Sequence, residues 1–221
     1  MPWLFPYRIE SAKRIVIPRH GDTLAHITLN VMSHLHLANL NQRIYRVSVD
    51  FYHQLAEMGL LKQPCELIRG VIVKKMSKSP LYGILARLIF QRLMAQVPTG
   101  HSVRFDEPLT LADSETEPDL AIVAGTNRDY IKQHPTTAEL VIEIAISSLR
   151  EDREMAAIYA EAGVQEYWIV QPRQNQIEVY RHPKGGQYLV RQVYEAADTL
   201  ESSVVPGIEI VLAELLTEAG V

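Results

Sequence analysis

The stretch that decides the fold runs from Glu117 to Ala145 and reads EPDLAIVAGTNRDYIKQHPTTAELVIEIA. Two short apolar runs lie within it, LAIVA at 120–124 and LVIEIA at 140–145, and each is typical of a buried strand. Asp119 directly precedes the first run, and Glu143 lies in the middle of the second. A charge in an apolar strand is costly unless it is paired or binds a metal. The stretch therefore predicts neighbouring strands that hold a divalent-cation site.

The flanking sequence alternates between helix and strand patterns. Pro80 to Val97 predicts a helix with apolar residues on one face. Arg150 to Ala162 predicts a second helix that ends at Gly163. QEYWIVQP predicts a buried strand, and QIEVYRH and QYLVRQVYE predict an antiparallel hairpin across Pro183–Gly186. The expected fold class is α/β, a mixed β-sheet flanked by helices with an added antiparallel hairpin.

A third acid lies upstream of the central stretch. SVDFYHQLAEMGLL predicts a helix capped by Ser48 or Asp50. CELIRGVIVKKM then predicts a hairpin with a tight turn at Arg69-Gly70, and Glu66 lies at its start. Oxygen-only ligands suit Mg²⁺ or Mn²⁺, whereas zinc lacks a cysteine cluster or an H-E-x-x-H motif. The candidate metal ligands are Glu66, Asp119 and Glu143.

Each central acid also has an ordinary structural explanation. Asp119 follows Pro118, and aspartates beside prolines commonly cap turns. Glu143 has an alternative partner in Arg150 or Arg153, with which it could form a buried ion pair. The sequence alone leaves both alternatives open.

The distribution of charge is uneven along the chain. The net charge is −4, yet the window from Leu67 to Phe105 contains no Asp or Glu. Such a segment could face a polyanion, or it could be a solvated surface balanced by acidic neighbours in space. Both interpretations stay open. The basic residues of the window are Arg69, Lys74, Lys75, Lys78, Arg87, Arg92 and Arg104.

Length and composition limit the organisation of the protein. The 221 residues, 47% hydrophobic and 22% charged, predict one globular domain over residues 46–221. We expect residues 1–45 to form an N-terminal extension that contacts a partner subunit in a dimer. The single cysteine, Cys65, excludes an internal disulfide and favours the cytoplasm. We expect no membrane span, because the apolar runs are short, and no secretory signal, because MPWLFPYRIE has no charged region that leads into an apolar core.

The order of the motifs resembles a known family. ELIRG at 66–70, Pro118-Asp119, Glu143-Ile-Ala, the helix from Asp152-Arg153 to Tyr159-Ala160, and GVQEYWIV at 163–170 are similar to the Uma-type family of bacterial endonucleases. That family belongs to the PD-(D/E)XK, restriction-endonuclease-like superfamily. The resemblance covers the chain from about Val47 to its end. It implies a Mg²⁺-dependent, commonly homodimeric enzyme that hydrolyses DNA phosphodiester bonds with metal-activated water.

The resemblance also implies roles for individual residues. Glu66, Asp119 and Glu143 match the acidic catalytic positions of the family. The superfamily has a lysine two residues after the second acid, where this chain has Ala145. In the family this lysine lies on the following helix, at the position that matches Met155. The chain has no lysine from Gln133 to Pro183.

Two functions are compatible with this departure from the family pattern. The first is a nuclease in which another cation replaces the lysine, with Arg153, Lys74, Lys75 or Lys78 as candidates. The second is a catalytically degenerate homologue that binds nucleic acid or a protein partner without cleavage. In either case we expect Lys74, Lys75, Lys78 and Arg87 to bind nucleic-acid phosphates. Tyr82, where relatives often carry histidine, is a further departure with an expected effect on substrate contact.

Overall fold

The computed structural model describes residues 44–221, so the expected extension over residues 1–45 lies almost wholly outside the described residues. The helices are α1 (Val49–Glu57), α2 (Pro80–Gln96), α3 (Leu149–Glu161) and α4 (Leu212–Ala219), with a 3₁₀ turn at Asn127–Tyr130. The strands are β1 (Cys65–Ile68), β2 (Val71–Lys74), β3 (His101–Phe105), β4 (Leu109–Thr110), β5 (Glu115–Thr116), β6 (Leu120–Ala124), β7 (Leu140–Ile144), β8 (Glu166–Gln171), β9 (Gln176–Lys184), β10 (Gln187–Glu195), β11 (Thr199–Glu201) and β12 (Glu209–Val211). None of the helices in this part of the chain is long and apolar enough to cross a membrane.

The central element is a six-stranded sheet with the order β10-β9-β8-β7-β6-β3. Only β7 and β8 are parallel, and α3 connects them; the other neighbours are antiparallel. A parallel pair requires such a crossover, whereas antiparallel strands can be joined by short turns. The β9-β10 hairpin lies at one edge. The predicted mixed sheet with helices and an added hairpin is confirmed.

Strand β7 is covered on both faces of the sheet, as its continuous apolar sequence predicts. Ile142 and Ile144 pack in a core with α2 and α4. Val141 and Ala145 pack on the opposite face with Ile158 and Tyr159 of α3. Because side chains alternate along a strand, the side chain of Glu143 shares the face of Val141 and Ala145 and points toward α3.

The hairpin that carries Glu66 belongs to a second, four-stranded sheet with the order β2-β1-β5-β4. Its turn residues are Arg69, with φ 48°, and Gly70, with φ 75°. Two consecutive left-handed residues are the signature of a type I′ turn, so the predicted tight turn is confirmed. Pairing of Leu67 with Glu115 joins this hairpin to the chain just before the central stretch. The sequence did not predict that second sheet.

Local signals at the helix and hairpin ends decide three boundaries. Ser48, and not Asp50, caps α1: its hydroxyl accepts a hydrogen bond of 3.2 Å from the amide of Phe51. Ser79 caps α2 in the same way. The β9-β10 turn is shorter than predicted, because β9 continues to Lys184 and only Gly185-Gly186 form the turn. Both glycines have positive φ, so two residues suffice to reverse the chain.

Gly70 should be the least replaceable residue of the Glu66 hairpin. An alanine there would hold a strained positive φ, and its Cβ would lie 2.8 Å from Cβ of Arg46 and 3.0 Å from the carbonyl oxygen of Val47. Gly100, with φ +90°, has nothing within 4 Å of an added Cβ. We expect Gly70→Ala to lower the free energy of unfolding by about 1–3 kcal/mol more than Gly100→Ala, because overpacking adds to the backbone strain. Equal losses in urea denaturation would contradict this expectation.

Candidate active site

The register of two strands brings Asp119 and Glu143 together. Leu120 of β6 pairs with Ile142 of β7 in antiparallel register, so Asp119 and Glu143 occupy the next position along the pair. The amide of Asp119 donates a hydrogen bond of 3.2 Å to Oε2 of Glu143. The structure thus places the two carboxylates on neighbouring interior strands, where β6 begins and β7 ends.

The carboxylate of Asp119 is held on both of its oxygens. Oδ2 accepts a hydrogen bond of 2.8 Å from the amide of Ile144, and Oδ1 accepts one of 2.5 Å from the hydroxyl of Tyr82. These partners come from β7 and α2, and not from the adjacent turn. Asp119 therefore connects two distant elements, which argues against the turn-capping alternative.

Glu143 is held by a different set of donors. Its Oε1 accepts a hydrogen bond of 2.9 Å from the hydroxyl of Tyr159 on α3, while Oε2 accepts the amide of Asp119. The two arginines considered as ion-pair partners bind elsewhere: Arg150 to Glu151 at 2.9 Å, and Arg153 to Glu178. The buried ion-pair alternative for Glu143 is therefore not what the structure shows.

Glu66 and Asp152 are two of the five further acids that line the same cleft, which has a volume of about 610 Å³. Glu66 of β1 accepts a hydrogen bond of 2.6 Å from the amide of Glu117. Asp152, in the first turn of α3, accepts one of 2.7 Å from the hydroxyl of Ser148. Asp152 belongs to one of the sequence motifs, but the motif alone does not indicate a role for it. Its one signal is that it lies on the helix that directly follows the Glu143 strand.

Burial is the main cause that raises the pKa of each of these acids. The pKa of Asp152 rises to about 7. Like charges add to the effect at Glu143, where Asp119 and Asp152 both raise the pKa. Hydrogen bonds from Tyr82 and Ile144 oppose the shift at Asp119. Four acids that repel one another at neutral pH form an environment that a cation would relieve.

The donors in the cleft fit a hard divalent cation. All four acids offer carboxylate oxygens, and no histidine or cysteine is among the described residues that line the cleft. Within residues 44–221, no three His, Cys, Asp or Glu side chains are already grouped to enclose a metal. Mg²⁺ does not require such a cage, because it keeps several waters and binds one or two carboxylates plus substrate phosphate. The residues therefore fit Mg²⁺ or Mn²⁺ and do not fit a closed zinc site.

Two lysines of the basic window reach the acids. The ammonium of Lys78 lies 2.7 Å from the hydroxyl of Tyr82 and 3.7 Å from Oδ1 of Asp119. The ammonium of Lys75 donates to Glu117 at 2.7 Å and lowers the pKa of Glu66. Both lysines line the cleft, so cationic groups are present beside the acids.

Arg153 binds an acid that does not line the cleft. Its guanidinium binds Glu178, which is almost fully buried and also binds Arg191. Arg153 is not among the residues that line the cleft, whereas Met155 is. Side chains at positions 153 and 155 are two residues apart on a helix and so point to different sides. Of the candidate cations, Lys78 and not Arg153 lies beside Asp119, and which of them replaces the lysine stays a prediction.

The basic window does not form one continuous positive surface. Arg69 binds Glu161, Arg92 binds Glu214 and Glu218, and Arg104 binds Glu107. These three arginines therefore fit the second interpretation, in which acidic residues nearby in space balance the positive charge of the window. Lys74 and Arg87 are exposed, and within residues 44–221 neither forms an ion pair.

The repulsion among the acids predicts an unusual pH dependence of stability. Because the folded protein holds Asp152 with a pKa of about 7, against an ordinary 3.8, it binds more protons than the unfolded chain between these values. The free energy of unfolding of the metal-free protein should therefore fall as the pH rises from about 4 to about 7. Asp152→Asn should flatten this slope, and the exposed Asp50→Asn should not. Chemical denaturation in EDTA across this pH range measures both; a slope of opposite sign would contradict the prediction.

Divalent ions should restore the stability that the metal-free protein loses as the pH rises. We expect Mg²⁺ or Mn²⁺ to raise the midpoint of thermal unfolding at pH 7.5 and to have little effect at pH 5, where protons compete with the metal for the acids. Glu143→Gln should remove most of this stabilisation. A thermal shift that is equal at both pH values, or that survives in Glu143→Gln, would contradict the assignment of the ligands.

The chain resembles known proteins in both sequence and structure. None of the curated proteins compared with it matches significantly. Among solved structures it is similar to a protein from Anabaena variabilis described as "a putative nuclease belonging to DUF820", with a TM-score of 0.62 at 17% identity. That similarity covers 75% of this chain and 98% of the other, and at this identity it concerns the fold. The sequence model of the Uma2 family, described as "Putative restriction endonuclease", matches residues 49–214. The chain therefore belongs to the Uma2 family of restriction-endonuclease-like proteins.

Proposed function

We propose that this protein is a Mg²⁺- or Mn²⁺-dependent endonuclease that hydrolyses phosphodiester bonds in DNA. The observation that carries the proposal is the pair Asp119 and Glu143, oriented by hydrogen bonds from Ile144, Tyr82 and Tyr159 and open to a cleft. Among residues 44–221 no arginine forms an ion pair with either acid, and a buried carboxylate pair without such a partner is expensive for a fold. Membership of a restriction-endonuclease-like family supports the same function.

The acids have defined tasks in this proposal. Asp119 and Glu143 would hold the ion, and Glu66, across the cleft on β1, is the third carboxylate available to it. When bound, Mg²⁺ supplies the Lewis acidity that polarises a phosphodiester and makes water a stronger nucleophile. The hydrogen bonds from Tyr82 and Tyr159 fix the carboxylate orientations in advance, so little reorganisation is needed when substrate arrives.

In this proposal Lys78 performs the function of the lysine that the superfamily has and this chain lacks. Its ammonium, 3.7 Å from Asp119 and hydrogen-bonded to Tyr82, can offset the negative charge that develops on a phosphate. Its ion pair with Asp106 holds the ammonium at the mouth of the cleft. Lysine suits this role because its ammonium is a compact charge with three donors.

Other residues of the basic window, Leu67 to Phe105, are proposed to contact the DNA backbone. Lys74 and Lys75 line the cleft beside the acids, and Arg87 lines an adjoining groove. Such side chains bind phosphates irrespective of sequence and make affinity depend on salt. We further propose that the enzyme acts as a homodimer, as the family resemblance implies, and in the cytoplasm, as the lone cysteine implies. Residues 1–45 are proposed to lie at the subunit contact, because short extensions often pack on partner subunits.

The proposal is tested by cleavage of supercoiled plasmid in Mg²⁺ or Mn²⁺. We expect the wild type to nick the plasmid and Asp119→Asn and Glu143→Gln to be inactive. Lys78→Ala should lower the rate by about 10²–10³, the usual cost of removing one group that stabilises transition-state charge. The exposed Lys132→Ala serves as the matched control. A wild type that nicks no more than Asp119→Asn would contradict the enzyme assignment.

One observation favours the second candidate function, a degenerate homologue that binds nucleic acid or a protein partner without cleavage. The wall of the cleft carries Met155, a side chain that can neither orient water nor offset charge. If this position decides activity, Met155→Lys should increase plasmid nicking in Mg²⁺, with Met94→Lys, on the exposed surface of α2, as the control. No gain over the wild type, together with a large loss in Lys78→Ala, would assign the role to Lys78 instead.

A further inference from the structure

A second groove adjoins the acid cleft and shares part of its wall. Lys78, Ser79 and Tyr82 line both. The groove has a volume of about 660 Å³ and lies between the first half of α2 and the end of β3. Any ligand in this groove would therefore be next to the group that holds Asp119. Its remaining lining residues are Pro80, Gly83, Arg87, Phe90, Phe105 and Asp106.

Two phenylalanines give this groove an aromatic wall. The rings of Phe90 and Phe105 lie 5.4 Å apart in an edge-to-face arrangement. Phe105 remains 36% exposed, although it lies at the end of a strand of the central sheet. An exposed aromatic ring beside a positive charge is the combination that stacks nucleic-acid bases and binds their phosphates. Arg87 supplies the charge, since it lines the groove and is exposed.

Gly83 leaves the floor of the groove open. It lies in the first turns of α2, and a Cβ added there would have nothing within 4 Å. The fold therefore has no need of a glycine at this position, and glycine within a helix costs about 1 kcal/mol relative to alanine. Its effect is to expose helix backbone between Tyr82 and Arg87, where a flat ligand can approach closely.

We propose that this groove binds an unpaired base next to the phosphodiester in the acid cleft. This inference rests on the proposed nuclease function and names its substrate class, a nucleic acid with a single-stranded segment. Continuity of the two sites through Lys78 and Tyr82 places base and phosphate side by side. Two cations, Lys78 and Arg87, and one acid, Asp106, line the groove, and Asp106 forms an ion pair with Lys78. A duplex keeps its bases stacked inside and would leave the aromatic wall unused.

The experiment measures binding without cleavage. Fluorescence anisotropy in EDTA compares a labelled 20-nucleotide single strand with the same sequence as a duplex. We expect Phe105→Ala to weaken single-strand binding by about 5- to 150-fold, the range for loss of one stacked base, with little change for the duplex. Gly83→Leu, which fills the groove, should act in the same way. Phe51→Ala removes an exposed aromatic ring on α1 and is the matched control.

Gly83→Ala separates folding from binding. It should raise the melting temperature, because alanine favours the helix, while it weakens single-strand binding or leaves it unchanged. Selective loss of single-strand affinity in Phe105→Ala and Gly83→Leu supports the inference. Unchanged affinity, or an equal loss for strand and duplex, overturns it. The anisotropy experiment does not measure cleavage. A protein that shows the selective loss of binding, yet in Mg²⁺ or Mn²⁺ cleaves neither the plasmid nor the labelled single strand, would therefore overturn the proposed function and leave the base-binding groove supported.

Discussion

The hydrogen bonds around Asp119 are the interaction on which the site depends. The carboxylate accepts from Ile144 and Tyr82, and the amide of the same residue donates to Glu143. One residue thus joins the start of β6, the end of β7 and the first turn of α2. If the strand register shifted by one residue, Glu143 would move to the face packed against α2. The apolar core on that face therefore also protects the geometry of the acids.

This arrangement has an electrostatic cost that the protein alone does not remove. Glu66, Asp119, Glu143 and Asp152 all have raised pKa values because they are buried close to one another. In the described part of the chain the lysines beside these acids are Lys75 and Lys78, and each also binds a further acid, Glu117 or Asp106. A cleft that keeps its acids so poorly neutralised is suited to bind a divalent cation, and the lysines at its rim are suited to receive phosphate.

Much of this site could be predicted from the sequence, because its main signals are local. The apolar runs, the carboxylates within them and the Arg69-Gly70 turn are visible without tertiary contacts. What could not be predicted depends on distant partners. Arg153 appeared available until the structure placed it on Glu178, twenty-five positions along the chain. Asp152 looks like any acid in a first helical turn, where the helix dipole alone would favour it.

The central claim is that Asp119 and Glu143 share one divalent cation. A crystal soaked in Mn²⁺, with the anomalous difference map calculated at the manganese edge, tests it directly. The account predicts one strong peak within coordination distance of a carboxylate oxygen of both residues, and the loss of that peak in Glu143→Gln. A map with no peak between these acids, or with manganese bound only elsewhere on the protein, would contradict it.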